Sequence, residues 1–182
     1  MIMHHKILSF ITTSVILTTL FASNGYSQYD MNKSYLGPTI GLSFLGSTFQ
    51  IGANYEYSVE LENFGNVGIG GVFRYWSYSE NYFEGEWSYT DILVGIQGNY
   101  HFKVNNNKLD PWAGLTLAYD GGSVEWQGPY GYNYATPTYG GFFLGAQGGL
   151  RYWISPTVAL VSRIGFGTLS YGALEVGADF KL

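Results

Sequence analysis

The sequence predicts an all-β chain, closed into an eight-stranded antiparallel up-and-down transmembrane β-barrel. Three observations predict it. Apolar and polar residues alternate with period two through eight segments of residues 28–182, and none holds helical spacing for more than a turn. Charges inside those segments keep to the polar phase. That same phase is crowded with glycine, while the other carries Phe, Tyr, Ile and Leu.

Composition sets the outer bounds. A chain of 182 residues is one domain's worth. Aromatics reach 19% and charged residues only 12%, which excludes a disordered acidic chain. A net charge of −5 argues against nucleic acid as a partner, because phosphate backbones need Lys/Arg clusters. The absence of cysteine removes disulfide scaffolds, thiolate zinc sites and thiol nucleophiles together.

Residues 1–27 read as a Sec signal peptide. Lys6 with His4 and His5 forms the charged start, residues 7–21 the apolar run, and residues 22–27 a small, polar end. Gly25 and Ser27 place cleavage before Gln28, and the apolar run falls short of the ~20 residues that a spanning helix needs. No lipidated cysteine follows. Residues 28–182 are the barrel domain.

Eight strands are expected, over residues 35–45, 48–61, 67–78, 87–102, 112–119, 139–154, 158–166 and 171–182. The second is clearest: Phe49, Ile51, Ala53, Tyr55, Tyr57, Val59 and Leu61 oppose Gln50, Gly52, Asn54, Glu56, Ser58 and Glu60. In the fourth, Ile92, Val94, Ile96, Tyr100 and Phe102 oppose Asp91, Gly95, Gln97, Asn99 and His101. In the sixth, Phe142, Leu144, Ala146, Leu150 and Tyr152 oppose Gly145, Gln147, Gly149 and Arg151.

Alternation alone fits two closed barrels, a soluble one with its apolar face inside and a membrane one with that face outside. Side-chain size separates them. An eight-stranded barrel is just wide enough for side chains to fill, so small residues belong on the concave face and bulky ones on the convex face. The apolar side is then outside, where lipid accepts it. A charge turned into lipid at mid-bilayer would cost about 2–4 kcal/mol. An open sheet edge there would leave backbone groups unpaired, so the sheet must close. Aromatics cluster at both strand ends, as girdles at the two lipid boundaries do: Tyr100, Phe102, Trp112, Tyr152 and Trp153 at one, Phe44, Phe49, Tyr119, Phe142, Phe166 and Tyr171 at the other, with Trp112, Trp153 and Tyr171 on the inward phase. An even strand number puts both termini in the periplasm. The outer loops are then residues 46–47, 79–86, 120–138 and 167–170, and the inner connections 62–66, 103–110 and 155–157.

The chain ends Glu175-Val176-Gly177-Ala178-Asp179-Phe180-Lys181-Leu182. With Asp110-Pro111-Trp112-Ala113-Gly114 and Gly149-Leu150-Arg151-Tyr152-Trp153, this resembles the small bacterial outer-membrane β-barrel family, with OmpA-like transmembrane domains and opacity-type proteins among its members. The usual terminal residue is aromatic, and Leu182 departs from that. The resemblance implies that Gly177, Phe180 and Leu182 are read by the barrel-assembly machinery. Nothing follows the last strand, so no peptidoglycan-binding domain is expected.

Chemistry-bearing motifs are few. No P-loop, metal-ligand spacing or dinucleotide fingerprint appears, and no cofactor or metal is expected. His101 is the one histidine after residue 27, and it reads as an interior hydrogen-bonded group rather than a base. Glu80, Glu84 and Glu86 read as a solvated acidic rim. Tyr130, Tyr132 and Tyr134 form either a sticky tip or a strand extension. The inward charges Glu56, Arg74, Asp91, Arg151, Arg163, Glu175 and Asp179 share a lumen too narrow to hydrate each, and buried charges survive when paired. They are expected to form an ion-pair network that plugs the barrel. The resulting expectation is a monomeric, non-enzymatic outer-membrane protein, partnered by lipid, with a structural or adhesion-type role through its outer loops. The rival is a narrow porin-like channel. The surface partner stays unnamed.

Overall fold

A computed structural model describes residues 29–128 and 139–182. The expected signal peptide, and Tyr130, Tyr132 and Tyr134, lie outside the described residues. The strands are β1 (Ser34–Ser43), β2 (Thr48–Leu61), β3 (Gly65–Tyr82), β4 (Gly85–His101), β5 (Leu109–Asp120), β6 (Ser123–Gln127), β7 (Gly141–Trp153), β8 (Val158–Gly167) and β9 (Gly172–Lys181). A single 3-10 turn, Leu45–Ser47, joins β1 to β2.

Every strand pair is antiparallel. The barrel runs β1-β2-β3-β4-β5-β7-β8-β9, and β1 pairs back onto β9 with Ile40 opposite Val176. That pairing removes both sheet edges, which a sheet in hydrocarbon requires. β6 stands apart from the ring and pairs only with the outer half of β4, Trp87 opposite Trp126.

Burial alternates as the sequence pattern demands. Phe49, Ile51, Ile96, Leu117, Phe142 and Leu144 are exposed on the outer surface, while Gln50, Asn54, Glu56, Arg74, Gln97, Arg151 and Glu175 are buried within. This is a transmembrane barrel turned inside out relative to a soluble protein. Glycine on the inner phase has a specific use. A Cβ at Gly149 would strike the Trp112 ring, one at Gly145 the Phe143 ring, and one at Gly68 the Glu56 carboxyl. Each glycine vacates the space that a large interior side chain on the same or a neighbouring strand fills.

Three boundaries differ most from the sequence pattern. Residues 79–86, expected as a loop, continue β3 and β4 to a two-residue turn at Phe83 and Glu84. β5 begins at Leu109, so Asp110 is a buried strand residue and not part of a connection. Part of the 120–138 loop is β6. Trp112, Trp153 and Tyr171, which sit among the end aromatics but on the inward phase, are buried inside the barrel as that phase requires.

The outward phase also marks where lipid ends. On β3 it runs Val67, Ile69, Gly71, Phe73, Tyr75 and then turns polar at Ser77, Ser79 and Asn81. On β4 it passes from Ile96, Val94 and Ile92 to Thr90, Ser88 and Glu86. The apolar stretch from Val67 to Tyr75 has the length of a tilted membrane-crossing strand. Beyond it β3, β4 and β6 form a three-stranded blade on the outer side.

Candidate functional site: a layered lumen and its outer mouth

The lumen is filled in layers. At the end that carries both termini, Tyr29, Tyr35, Trp153 and Ala159 form a buried apolar cap. The segment before β1 folds into this mouth. Its Asp30 carbonyl accepts from Ser58 Oγ at 2.6 Å and from Tyr35 Oη at 2.9 Å, and Lys181 Nζ donates to the Asp30 carboxylate at 2.8 Å.

Above the cap lies the first ionic layer. Arg151 donates from Nε to Asp179 at 2.5 Å, and from Nη1 to Glu56 at 2.9 Å and Asp110 at 3.3 Å. His101 Nδ1 is 2.8 Å from Asp110 Oδ1, and Nε2 is 3.2 Å from Glu56 Oε1, close but off line for a hydrogen bond. A ring with carboxylate oxygens at both nitrogens is best satisfied carrying both protons. The Tyr29 ring stacks on His101 with centroids 3.7 Å apart, and its hydroxyl donates to Glu56 at 3.0 Å. Burial, with the Glu56 charge beside it, pushes the Tyr29 phenol up from its ordinary value.

An amide layer follows. Asn99 donates to Glu56 at 2.5 Å, and Gln147 Nε2 donates to Gln97 and to Asn99, each at 2.9 Å. The second ionic layer comes next. Arg74 grips Glu175 through Nε at 2.6 Å and Nη2 at 2.7 Å, and also donates to Asn54 at 2.8 Å. Arg163 donates to Asn54 from Nη1, stands 3.9 Å from Glu175 through Nε, and lies over the Trp112 ring at 4.9 Å. Gln50 and Thr39 donate to Glu175 at 2.9 and 3.1 Å. Trp76, Leu93, Phe143 and Tyr171 then cap this layer from the outer side. A gap beside them is about 30 Å³, room for isolated waters only. Tyr171, in the β8–β9 connection, has its phenol pushed up to about 12 by burial, and donates to Gln50 at 2.9 Å.

Six of the seven inward charges singled out by sequence thus fall into two arginine-centred clusters, with Glu56, Arg151 and Asp179 in one and Arg74, Arg163 and Glu175 in the other. Asp91 joins neither. Trp76 and Leu93 lie between it and Arg74, whose guanidinium turns the other way, onto the Phe73 and Ala53 carbonyls and Glu175. Asp91 instead accepts from Tyr139 Oη at 3.0 Å and neighbours Asp120. Sequence reasoning missed Asp110, placed in a connection, and the neutral partners Asn54, Asn99, Gln50 and Thr39. Their inward phase was the available signal.

Chemically the lumen is poor in reactive groups. The His101–Asp110 pair has the spacing of a base and its orienter, but Tyr29 covers the ring and no serine or threonine hydroxyl hydrogen-bonds to it among the described residues. No cluster of three or more His, Cys, Asp or Glu fit to hold a metal occurs among the described residues. Of the assembly-signal residues, Gly177 faces inward against Pro38 and Thr39, and Phe180 and Leu182 are exposed on the outside.

No protein-family profile matches the sequence, and no curated protein matches it either. Solved structures do. The chain superimposes on the outer membrane protein OprG of Pseudomonas aeruginosa with a TM-score of 0.60 at 10% identity, covering 86% of this chain and 99% of that one. The N-terminal β-barrel domain of OprF from the same organism gives 0.55 at 12% identity, with 84% and 98% covered. Ail of Yersinia pestis, solved with the heparin analogue sucrose octasulfate, gives 0.50 at 13% identity, with 82% and 97% covered. At these identities the likeness is one of fold: an eight-stranded barrel of the outer-membrane kind.

Proposed function

We propose that this chain is a bacterial outer-membrane protein that works as a sealed, non-enzymatic anchor, presenting the β3–β4–β6 blade to the outside. The observation that carries the reading is the layered lumen, two ion-pair clusters closed at each end by aromatic side chains. A solute would have to break charge pairs buried at a few per cent exposure, and truncating one such partner costs about 3–5 kcal/mol. A porin-like channel needs a hydrated path, which this packing opposes.

The blade supports a surface role. At its tip Phe83 is 85% exposed and held at a φ of +50°, a left-handed conformation that bulky residues avoid at a cost of about 1–2 kcal/mol. A large exposed aromatic kept in a strained turn fits contact with a partner better than solvation. Chemistry restricts that partner. Residues 76–91 and 119–144 contain six carboxylates and no Lys, Arg or His. Such a surface repels sulfated sugars of the kind bound in the Ail complex, so an adhesion role here engages a different ligand class. Gly177, Phe180 and Leu182 serve export as the signal for barrel assembly, after removal of residues 1–27, and the product is a monomer in lipid.

Planar-bilayer recording of the purified, refolded protein tests the sealed lumen. The expected trace shows no steady conductance. Stable, ion-selective steps of the size a porin gives would replace this reading with the channel.

A further inference from the structure

We propose that Asp91 and Asp120, at the outer mouth of the barrel, form a binding site for a hard, oxygen-seeking cation such as calcium.

The two carboxyls project inward from adjacent strands, since Asp120 pairs with Leu93, two residues along β4 from Asp91. They are 0% and 4% exposed, and the strand register makes them diagonal neighbours on the inner face. Asp91 Oδ2 accepts from Tyr139 Oη at 3.0 Å, and Tyr139 Oη is 3.0 Å from Tyr78 Oη. The other oxygens, Asp91 Oδ1 and Asp120 Oδ1, are buried and have no hydrogen-bond partner. Two buried carboxylates on neighbouring strands, each with an oxygen left unpartnered, repel each other and lack the donors that a buried charge requires. Something positive belongs between them.

Protein supplies no such charge. The nearest arginine, Arg74, spends its donors on Phe73, Ala53, Asn54 and Glu175, beneath the layer of Trp76 and Leu93. No basic residue occurs in the outer-side stretches 76–91 and 119–144. The four lysines among the described residues, Lys33, Lys103, Lys108 and Lys181, all lie at the opposite end, beside the termini and the β4–β5 connection. Glu80, Glu84, Glu86 and Glu125 instead stand on the β3–β4–β6 blade above it and raise the local cation concentration. Residue 122 beside them is glycine: a Cβ there would stand 3.4 Å from Asp91 Oδ1 and would strike the Tyr139 ring, so that ring packs over the site and must swing aside to admit an ion. All the donors are oxygens, which favours calcium over a softer metal, with water completing the shell.

Terbium(III) reads the site, because tyrosine sensitises its emission and Tyr139 touches Asp91. Titrated at pH 7 into the refolded full chain, it should give saturable emission that calcium competes away. Asp120→Asn should weaken it at least tenfold. The quadruple change of Glu80, Glu84, Glu86 and Glu125 to Gln should weaken it only a few-fold and keep saturation. Heat-modifiable gel migration verifies that each variant is folded. Calcium should also raise the unfolding temperature of the unaltered protein, a readout that needs no variant. Absent emission and an unmoved unfolding temperature would overturn the site in favour of a proton shared by the two carboxyls. Emission unchanged by Asp120→Asn but lost in the quadruple variant would overturn it in favour of loose binding on the rim.

Discussion

Arg151 is the residue on which most of the inner ionic layer depends, because one guanidinium answers Asp179, Glu56 and Asp110. Arg151→Met would leave three carboxylates around a single histidine. Urea unfolding in detergent micelles should show a loss of about 3–5 kcal/mol, with part returned by adding Asp179→Asn; a loss below about 1 kcal/mol would mean the layer is hydrated. Charges across the two layers balance when His101 is an imidazolium, four positive against Glu56, Asp110, Asp179 and Glu175. Glycine tests the same packing from the other side. Gly149→Ala pushes a methyl into the Trp112 ring and should cost about 1–3 kcal/mol by the same measurement. Tyr171 gives a pH signature. Its phenol ionises near 10.0 when unfolded and near 12 when folded, so its contribution is intact below pH 10 and is lost as pH rises through 12. Tyr171→Phe should flatten stability over that alkaline window. The inward phase of these charges was legible in the sequence, but which charge meets which was not. Pairing depends on cross-strand register and on where a long guanidinium turns, and neither leaves a mark in a one-dimensional pattern. Asp91 shows this: phase put it inside, yet Trp76 and Leu93 partition it from every arginine.

Along the strands, alternation located all eight barrel members but misjudged lengths where water replaces lipid. On the outer halves of β3 and β4 the outward residues Ser77, Ser79, Asn81, Glu86 and Ser88 are polar, so the period-two contrast fades while the hydrogen-bond ladder continues to Tyr82 and Gly85. A strand in water need not advertise itself as one in lipid must. β5 starts at Leu109, ahead of Trp112; Pro111 pairs with Leu150 near the strand's first residue, where a missing N–H is tolerated. The boundary between the two regimes is testable on the outward phase of neighbouring elements. Leu117→Arg, on the lipid-facing side of β5, should lower folding stability by about 2–4 kcal/mol in vesicles. Ser79→Arg, on β3 beyond Tyr75, should change it by less than about 0.5 kcal/mol. Equal costs at the two positions would mean that the polar stretch also lies in hydrocarbon.

At the scale of the whole molecule, the barrel is polarised along its axis. Lysines mark the end that holds the termini, residues 76–91 and 119–144 at the other carry carboxylates and no basic residue, and two aromatic caps seal the ion pairs between them. That polarity follows from the order of residues alone once an even number of strands is granted, which is why the sequence carries the fold so far and the surface partner not at all. The central claim is the direction each phase faces. Nitroxide labels placed singly at Leu144 and Gln147 in lipid vesicles test it most directly, since these residues sit three apart on β7 with opposite orientation. The label at Leu144 should be relaxed by dissolved oxygen and ignored by a water-soluble nickel chelate, while the label at Gln147 is shielded from lipid-phase oxygen. Nickel access at Leu144 together with oxygen access at Gln147 would contradict the account.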